Sequence, residues 1–288
     1  MVDVDTALRA SAYNDRKRKS SSEKESGKST PKKIEAFDPV AHAIKELADA
    51  YSMWLVILYG TLVAAAIRYV LMPEMEEPGA ILYLLPLLLG ATVVPLHKIL
   101  IPKKYNDLYT NGNWFRGIFL FIFTWLALSF ILSNPPLADI APPTLAGGID
   151  IEQTEGIEDT TWKNGVYTIN LNQDTVDVVL GMAVRDNVDA DSVQINAAIY
   201  YRGDMIKELA NGTAISHTED IEMFESVTNW TRGNSIGPHG SDVGMAWDLG
   251  TLEPGEYTLQ ITMTEQGDPW ENTSELEYKI LIMQTTVL

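Results

Sequence analysis

Three long apolar runs dominate the amino-terminal half of the chain. They cover residues 53–72, 80–101 and 114–133, and each is close to the ~20 residues that a helix needs to cross a bilayer. The short loop between the first two runs permits only a helical hairpin. Pro86 and Pro95 predict a bent second helix, because a membrane span tolerates proline where neighbouring helices satisfy the freed carbonyl groups. The pattern predicts a three-helix transmembrane anchor.

The carboxyl-terminal half has a different period. Apolar and polar residues alternate over several segments, which is typical of half-buried antiparallel strands. Shorter apolar runs between them bring the prediction to seven or eight strands, and that number favours an all-β sandwich over residues 149–288. The predicted strands are 165–171, 176–184, 193–199, 205–209, 243–249, 257–263 and 276–282.

One stretch of this half resembles a known class of domain. Leu252–Tyr257 reads Leu-Glu-Pro-Gly-Glu-Tyr, and it is similar to the turn and tyrosine before a late strand of immunoglobulin-like and fibronectin type III-like modules. The resemblance implies an immunoglobulin-like sandwich and no particular protein family. The intersheet cysteines of antibody-type domains are absent, because the chain contains no cysteine. Disulfides, zinc-thiolate sites and cysteine nucleophiles are excluded for the same reason.

The remaining segments complete the predicted organisation. Residues 1–36 are rich in Ser, Lys and Glu and predict a disordered basic tail. Asp38-Pro39 supplies a helix cap and a first-turn proline, which indicates an amphipathic juxtamembrane helix over 37–52. Residues 134–148 contain four prolines and end in paired glycines, the composition of a semi-rigid Pro/Gly stalk.

Charge predicts the orientation of the chain. Lys and Arg cluster before the first span and between the second and third, which places the amino terminus in the cytoplasm and the carboxyl-terminal domain outside a cell membrane. Residues 150–288 hold 6 Lys and Arg against 25 Asp and Glu. Such an acidic surface disfavours nucleic acid, although the charge could serve hydration alone. The orienting residues are Arg16–Lys19, Lys32, Lys33, Lys45, Lys98, Lys103, Lys104 and Arg116.

Surface features of the carboxyl-terminal domain suggest contacts with other molecules. Three N-x-[ST] sequons, at Asn211, Asn229 and Asn272, predict glycosylation of an exported domain. Trp230 and Trp270 lie among loop-forming residues beside sequons. They are therefore candidates for exposed contacts with a protein or glycan partner.

Calcium is the one cofactor that the residues suggest. Asn187, Asp189 and Asp191 stand at alternate positions, which is how calcium loops present oxygen ligands. Ser192 and Ala198 occupy the places of the turn glycine and the late glutamate of an EF-hand. A solvated acidic turn between two strands is the alternative interpretation.

No catalytic residue is predicted. Gly233–Gly237 matches the G-x-S-x-G pattern around Ser235, with His239 and Asp242 close behind. A nucleophile elbow needs a preceding buried strand, a following helix and a histidine later in the chain. Pro238 follows at once, so the segment is interpreted as a glycine-rich loop.

The functional expectation is a non-enzymatic cell-surface protein whose anchor displays an acidic sandwich for binding or adhesion. The alternative is an accessory subunit of a larger membrane complex, because three spans exceed what anchoring requires. Arg68, near the end of the first span, can snorkel towards the headgroups. The expected partners are the bilayer and possible membrane subunits, surface proteins or glycans.

Overall fold

The structure is a computed structural model that describes residues 38–285. The basic tail expected over residues 1–36 lies outside the described residues. Helices occupy the first part of this range and strands the second. The helices are α1 (Pro39–Ala66), α2 (Ile81–Gly90), α3 (Val93–Leu100), α4 (Lys103–Asn106), α5 (Asn111–Leu132) and α6 (Thr218–Ser226).

Helix α1 begins at the predicted cap. The carboxylate Oδ1 of Asp38 accepts hydrogen bonds from the backbone N–H groups of Val40 (2.9 Å) and Ala41 (3.3 Å), which satisfies donors that have no partner within the helix. The helix continues as a π-helical turn at Ile67–Leu71 and then as a 3₁₀ turn at Met72–Glu74.

Two helical segments are long and apolar enough to cross a membrane, namely Pro39–Glu74 and α5. Helices α2 and α3 are bent by 48° relative to one another and would supply a third span if the pair crosses as one unit. The predicted bend in this region is therefore confirmed. Pro95 contributes to it, since it has no N–H to donate to the carbonyl of Ala91 at the break.

The long helices pack closely through small and apolar side chains. Val56 of α1, Val93 of α3 and Phe121 of α5 are almost completely buried in one cluster. A Cβ atom at Gly60 would lie 3.1 Å from Cβ of Thr124, so glycine at this position favours the close approach of α1 to α5.

The carboxyl-terminal β domain (residues 144–285) has nine strands within the described range. One sheet has the order β1-β4-β7, and the other has the order β2-β3-β9-β8-β5-β6. All pairings are antiparallel except β3 with β9. The strands are β1 (Thr144–Ile151), β2 (Ile157–Lys163), β3 (Val166–Leu171), β4 (Val176–Arg185), β5 (Gln194–Tyr201), β6 (Asp204–Thr213), β7 (Val243–Leu252), β8 (Gly255–Gln266) and β9 (Glu271–Gln284).

The two sheets enclose a common apolar core, as expected for a sandwich. Ile149 and Met182 of the smaller sheet and Ile169, Leu259 and Ile282 of the larger sheet are at most 2% exposed and belong to one cluster. Along β3 and most of β8 every second residue is buried, so the period of two seen in the sequence marks the face that is buried.

Each of the seven predicted strands is present, whereas β1, β2 and α6 were not predicted. Strand β1 begins at Thr144, within the segment expected to form a stalk. Helix α6 packs on β7, where a Cβ atom at Gly244 would lie 2.5 Å from the ring of Phe224. Glycine at that position allows the helix to approach the sheet.

The turn and tyrosine that resemble a late strand of immunoglobulin-like modules make the contact typical of that feature. Tyr257 lies near the start of β8 and is 4% exposed. Its hydroxyl group donates a hydrogen bond of 3.0 Å to the backbone carbonyl of Glu253. This bond fixes the chain where it crosses from the smaller sheet to the larger one.

We expect Tyr257→Phe to lower the free energy of unfolding by about 1 kcal/mol, since it removes one hydrogen bond and keeps the buried ring. Denaturant unfolding of the full chain in detergent measures the effect. Tyr200→Phe is the control, because no hydrogen bond of the Tyr200 hydroxyl occurs among the described residues. Equal losses in both variants would contradict a specific role for Tyr257.

Candidate functional site

The connector between α5 and β1 (residues 133–143) is hydrogen-bonded to the β domain. The N–H of Asp139 donates to the carbonyl of Asp268 (3.1 Å), and the N–H of Asp268 donates to the carbonyl of Asp139 (2.8 Å). Asp268 lies in the turn between β8 and β9. The connector is thus paired with this turn over part of the segment expected to form a stalk.

Arg68 joins the helices to the same turn. Its Nη2 atom lies 2.6 Å from Oδ2 of Asp268, its Nε donates to the carbonyl of Leu132 at the end of α5 (3.1 Å), and Nη2 also donates to the carbonyl of Leu137 (3.3 Å). Arg68 is only 5% exposed. We call Arg68, Leu132, Leu137 and Asp268 the clasp.

Arg68 thus has its partners within the protein. The side chain is buried within the protein because a carboxylate and two carbonyl oxygens are held in reach of its guanidinium group. Each of these partners comes from a different part of the chain. The clasp thus connects the turn Ile67–Leu71 after α1, the end of α5, the connector and the β8–β9 turn.

Trp270 strengthens the contact between the β domain and the helices. The side chain is 5% exposed and belongs to the same apolar cluster as Met72 and Trp125, with Ile140 of the connector packed against it. The prediction of an exposed contact at Trp270 is wrong, because the β8–β9 turn inserts this ring among helix residues.

Trp230 is half-buried and also packs within the protein. A Cβ atom at Gly181 would lie 2.2 Å from its ring, and the Phe224 ring is 5.2 Å away between centroids. Much of the Trp230 ring is therefore covered by β4 and α6.

The three sequons differ in their accessibility. Asn211 and Asn229 are exposed. Asn272 is 3% exposed, and its Nδ2 donates to Glu265 Oε1 (2.9 Å) and to the carbonyl groups of Asp139 (3.2 Å) and Ala141 (3.3 Å). A glycan on this nitrogen would break these bonds, so the predicted glycosylation of Asn272 is incompatible with the fold.

Three carboxylates converge beside Asn272. Asp139 comes from the connector, Asp186 follows the end of β4, and Glu265 lies on β8. One oxygen atom of each lies within 4.8 Å of the others. Asp186 is 8% exposed and Glu265 is 7% exposed. We call these three residues the carboxylate cluster.

Two oxygen atoms of the carboxylate cluster have no hydrogen-bond donor. Oδ2 of Asp186 accepts from the N–H groups of Val188 (2.7 Å) and Asp189 (2.9 Å). In contrast, Oδ1 of Asp186 and Oδ1 of Asp139 are buried and have no partner. Buried polar atoms in proteins are almost always paired, so this arrangement lacks a positive or donating group.

The cluster also alters the acidity of its members. The pKa of Glu265 is raised to about 7, chiefly by burial; the hydrogen bond from the Asn272 amide lowers it, and the nearby Asp186 and Asp139 raise it. Burial likewise raises the pKa of Asp139. Burial acts to raise the pKa of Asp186, but hydrogen bonds from the N–H groups of Asp189 and Val188 and from the Glu265 side chain outweigh it, so the pKa is lowered. Asp186 is therefore the member that holds its negative charge most firmly.

The predicted calcium residues do not form this site. Asn187, Asp189 and Asp191 are exposed, and Oδ1 of Asp189 accepts from the N–H of Asp191 (3.2 Å) as a cap of the short turn that follows. The neighbouring Asp186 is the residue of this loop that enters the cluster. Asn187 contributes differently, through a side-chain hydrogen bond with Asp139.

The glycine-rich loop around Ser235 has a structural arrangement of its own. The hydroxyl group of Ser235 donates to the carbonyl of Arg232 (2.7 Å). Asp242 forms an ion pair with Arg185 (2.7 Å), and it accepts from the backbone N–H of His239 (2.9 Å) rather than from its ring. These contacts hold the loop and do not align a base with Ser235.

The sequence matches no protein family, and no curated protein matches it significantly.

We expect Arg68 and Asp268 to be coupled in a double-mutant cycle. Asp268→Asn leaves a buried guanidinium group without its counter-charge, whereas the added change Arg68→Met removes that group. Because the Asp268 side chain is 60% exposed, the coupling energy should be about 1–3 kcal/mol, below the ~3–5 kcal/mol cost of breaking a fully buried pair. Unfolding of the full chain in detergent gives the four free energies.

The matched control is the ion pair of Lys279 and Glu256, which is about half exposed on both sides. The cycle with Lys279→Met and Glu256→Gln should show no measurable coupling, because solvent screens such pairs. Additive effects at Arg68 and Asp268 would contradict the importance of the clasp.

Proposed function

We propose that this chain is a multi-pass membrane protein of the cell surface that presents an acidic, immunoglobulin-like sandwich for binding or adhesion and has no catalytic role. The observation that carries this proposal is the clasp. Through Arg68 and Asp268, the β domain is fastened to apolar helices, so a ligand-binding surface on the domain would keep a fixed orientation relative to the bilayer.

The strand order supports the immunoglobulin-like part of the proposal. In such domains strands A, B and E share one sheet, and strands C, F and G share the other. The order β1-β4-β7 corresponds to A-B-E, and the order β5-β8-β9 corresponds to C-F-G. The Tyr257 hydroxyl group, bonded to the preceding corner, matches the tyrosine corner at the start of strand F. Helix α6 takes the place of strand D.

The distribution of charge supports the proposed orientation. The short helix α4, which contains Lys103 and Lys104, lies in the segment that joins α3 to α5, at the end of α5 opposite the β domain. The loop over residues 73–79, between the first two predicted spans, contains Glu74, Glu76 and Glu77 and no basic residue. Cytoplasmic loops of membrane proteins carry the excess of Lys and Arg. The β domain therefore falls on the outer side.

A second candidate function is that of an accessory subunit in a membrane complex. The indole Nε1 of Trp125 and the hydroxyl group of Ser129 are buried without hydrogen-bond partners. Both residues line a cavity of about 480 Å³ that also contacts Arg68, Leu126 and Phe130. A polar group on a partner helix would satisfy these atoms, since such bonds contribute to helix association in bilayers.

The absence of cysteine permits a clean test of the orientation. In intact cells, a membrane-impermeant maleimide should label Thr175→Cys, which is in an exposed turn of the β domain, and should leave Lys103→Cys unlabelled. Permeabilised cells should show labelling of both. The unmodified chain is the control without a thiol, and labelling of Lys103→Cys alone in intact cells would reverse the proposed orientation.

Photocrosslinking separates the two candidate functions. Benzoyl-phenylalanine is placed at Met205, exposed on the edge strand β6, or at Phe130, which lines the cavity. Leu58, exposed on α1 away from that cavity, is the control position. The display function predicts that the Met205 position traps a surface protein or glycoprotein in intact cells, whereas Phe130 and Leu58 give only background.

An accessory subunit predicts the opposite result. The Phe130 position would then trap one integral membrane protein in stoichiometric amount, and the Leu58 position would not. That outcome, with no specific product at Met205, would replace the display function by the second candidate.

A further inference from the structure

We propose that Asp139, Asp186 and Glu265 bind a divalent cation, specifically Ca²⁺, which fastens the connector to both sheets of the β domain. This inference goes beyond the proposed function and does not depend on it. It rests on the unpaired buried oxygens of the cluster, the chemistry of its ligands, and the elements that supply them.

The first argument comes from comparison with another buried carboxylate. Asp150 is 0% exposed, and the protein satisfies both of its oxygens. Oδ1 accepts from the hydroxyl groups of Tyr167 (2.7 Å) and Thr231 (2.8 Å), and Oδ2 accepts from the N–H of Arg232 (2.9 Å). This fold therefore provides donors where a carboxylate has only a structural role.

The carboxylate cluster is satisfied only in part. Oδ2 of Asp186 accepts from two backbone N–H groups, Oε1 of Glu265 accepts from Asn272, and the side chains of Asp186 and Glu265 are hydrogen-bonded to each other. Nevertheless, Oδ1 of Asp186, a residue that is 8% exposed, and Oδ1 of Asp139 are buried without a hydrogen-bond partner. No ion pair between residues in the range 38–285 involves any of the three carboxylates, and the nearby Arg68 pairs with Asp268 instead. A bound cation supplies the missing positive charge.

The ligand set favours Ca²⁺. Carboxylate oxygens are hard ligands that suit Ca²⁺, Mg²⁺ and Mn²⁺ rather than thiophilic metals. Ca²⁺ binds oxygens at about 2.3–2.6 Å, so ligands on opposite sides of the ion lie up to about 5 Å apart. The separation of at most 4.8 Å within the cluster falls in that range. Mg²⁺ usually takes only one or two protein carboxylates and retains its water.

A cation at this site would hold three separate elements of the chain together. Asp186 follows β4 of the smaller sheet, Glu265 lies on β8 of the larger sheet, and Asp139 belongs to the connector from α5. Because the backbone of Asp139 also pairs with that of Asp268, the cation would lie next to the clasp. Its binding would order the connector in addition to neutralising charge.

Calorimetric titration of the full chain in detergent tests the proposal. The chain is first treated with EDTA and then titrated with CaCl₂ at about pH 8, where carboxylates are mostly ionised. We expect one Ca²⁺ per chain, with a Kd of about 10⁻⁵ to 10⁻³ M, and a rise of the melting temperature with Ca²⁺ concentration. Hydrogen exchange at residues 137–141 should slow when Ca²⁺ is bound.

Variants locate the site. Glu265→Gln and Asp186→Asn should each weaken Ca²⁺ binding at least about tenfold, as loss of a charged ligand does. Glu158→Gln, an exposed acid on β2, is the matched control and should bind Ca²⁺ as the unmodified chain does. If a cluster variant fails to fold, the test still stands on the unmodified chain, whose hydrogen exchange at residues 137–141 is compared with and without Ca²⁺.

Several outcomes would overturn the proposal. One is the absence of binding heat, melting shift and slowed exchange at millimolar Ca²⁺. Another is an equal response of the Glu265→Gln, Asp186→Asn and Glu158→Gln variants, which would indicate diffuse binding to the acidic surface. A third is a melting temperature that does not respond to Ca²⁺ and that rises in the Glu265→Gln variant. That result would show that the carboxylates share a proton instead of binding a cation. None of these results bears on orientation or partner binding, so the two proposals fail separately.

Discussion

The arrangement of the helices and the β domain depends on one buried positive charge. A guanidinium group removed from water needs a counter-charge and hydrogen-bond acceptors, and Arg68 finds them in Asp268, Leu132 and Leu137. Separation of the domain from the helices would leave Arg68 without its carboxylate and would also expose the Trp270 ring. The connector, although rich in proline, is therefore held by contacts on both sides.

This constraint distinguishes the molecule from a domain on a flexible tether. A domain on a flexible tether samples many orientations and positions relative to its helices. A domain held by the clasp keeps one orientation relative to them. Binding by a clasped domain requires less ordering at the moment of contact. The neighbouring carboxylate cluster lies where small changes in charge would act on the connector, since Asp139 belongs to the cluster through its side chain and to the turn pairing through its backbone.

The sequence predicts the elements whose periodicity reflects burial, and it misses features that depend on distant contacts. Strands such as β4 and β8 alternate because one face is buried. Strand β2 is exposed along most of its length, and β1 begins in a Pro/Gly-rich segment, so neither shows a clear alternation. Trp270 and Asn272 have loop-like neighbours in sequence but are covered by the connector.

The carboxylate cluster and the clasp could not be predicted from the sequence, because they too depend on contacts between distant residues. Asp186 was visible in an acidic loop, but Asp139 and Glu265 carry no local signal that relates them to it. Only the pairing of the connector with the β8–β9 turn brings the three together. Arg68 was interpreted from its position in an apolar run, and nothing near it in sequence indicates a partner 200 residues later.

The position of β9 has a consequence for biosynthesis. Strand β9 lies between β3 and β8 in the larger sheet, so β2 and β3 cannot join that sheet until residues 271–284 have left the ribosome. Asp268 emerges only shortly before them. During translation the helices therefore form while Arg68 still lacks its counter-ion, and the larger sheet stays incomplete until nearly all of the β domain has been synthesised. A nascent chain stalled before β9 would display unpaired strand edges, which makes it a natural client for chaperones and quality-control proteases.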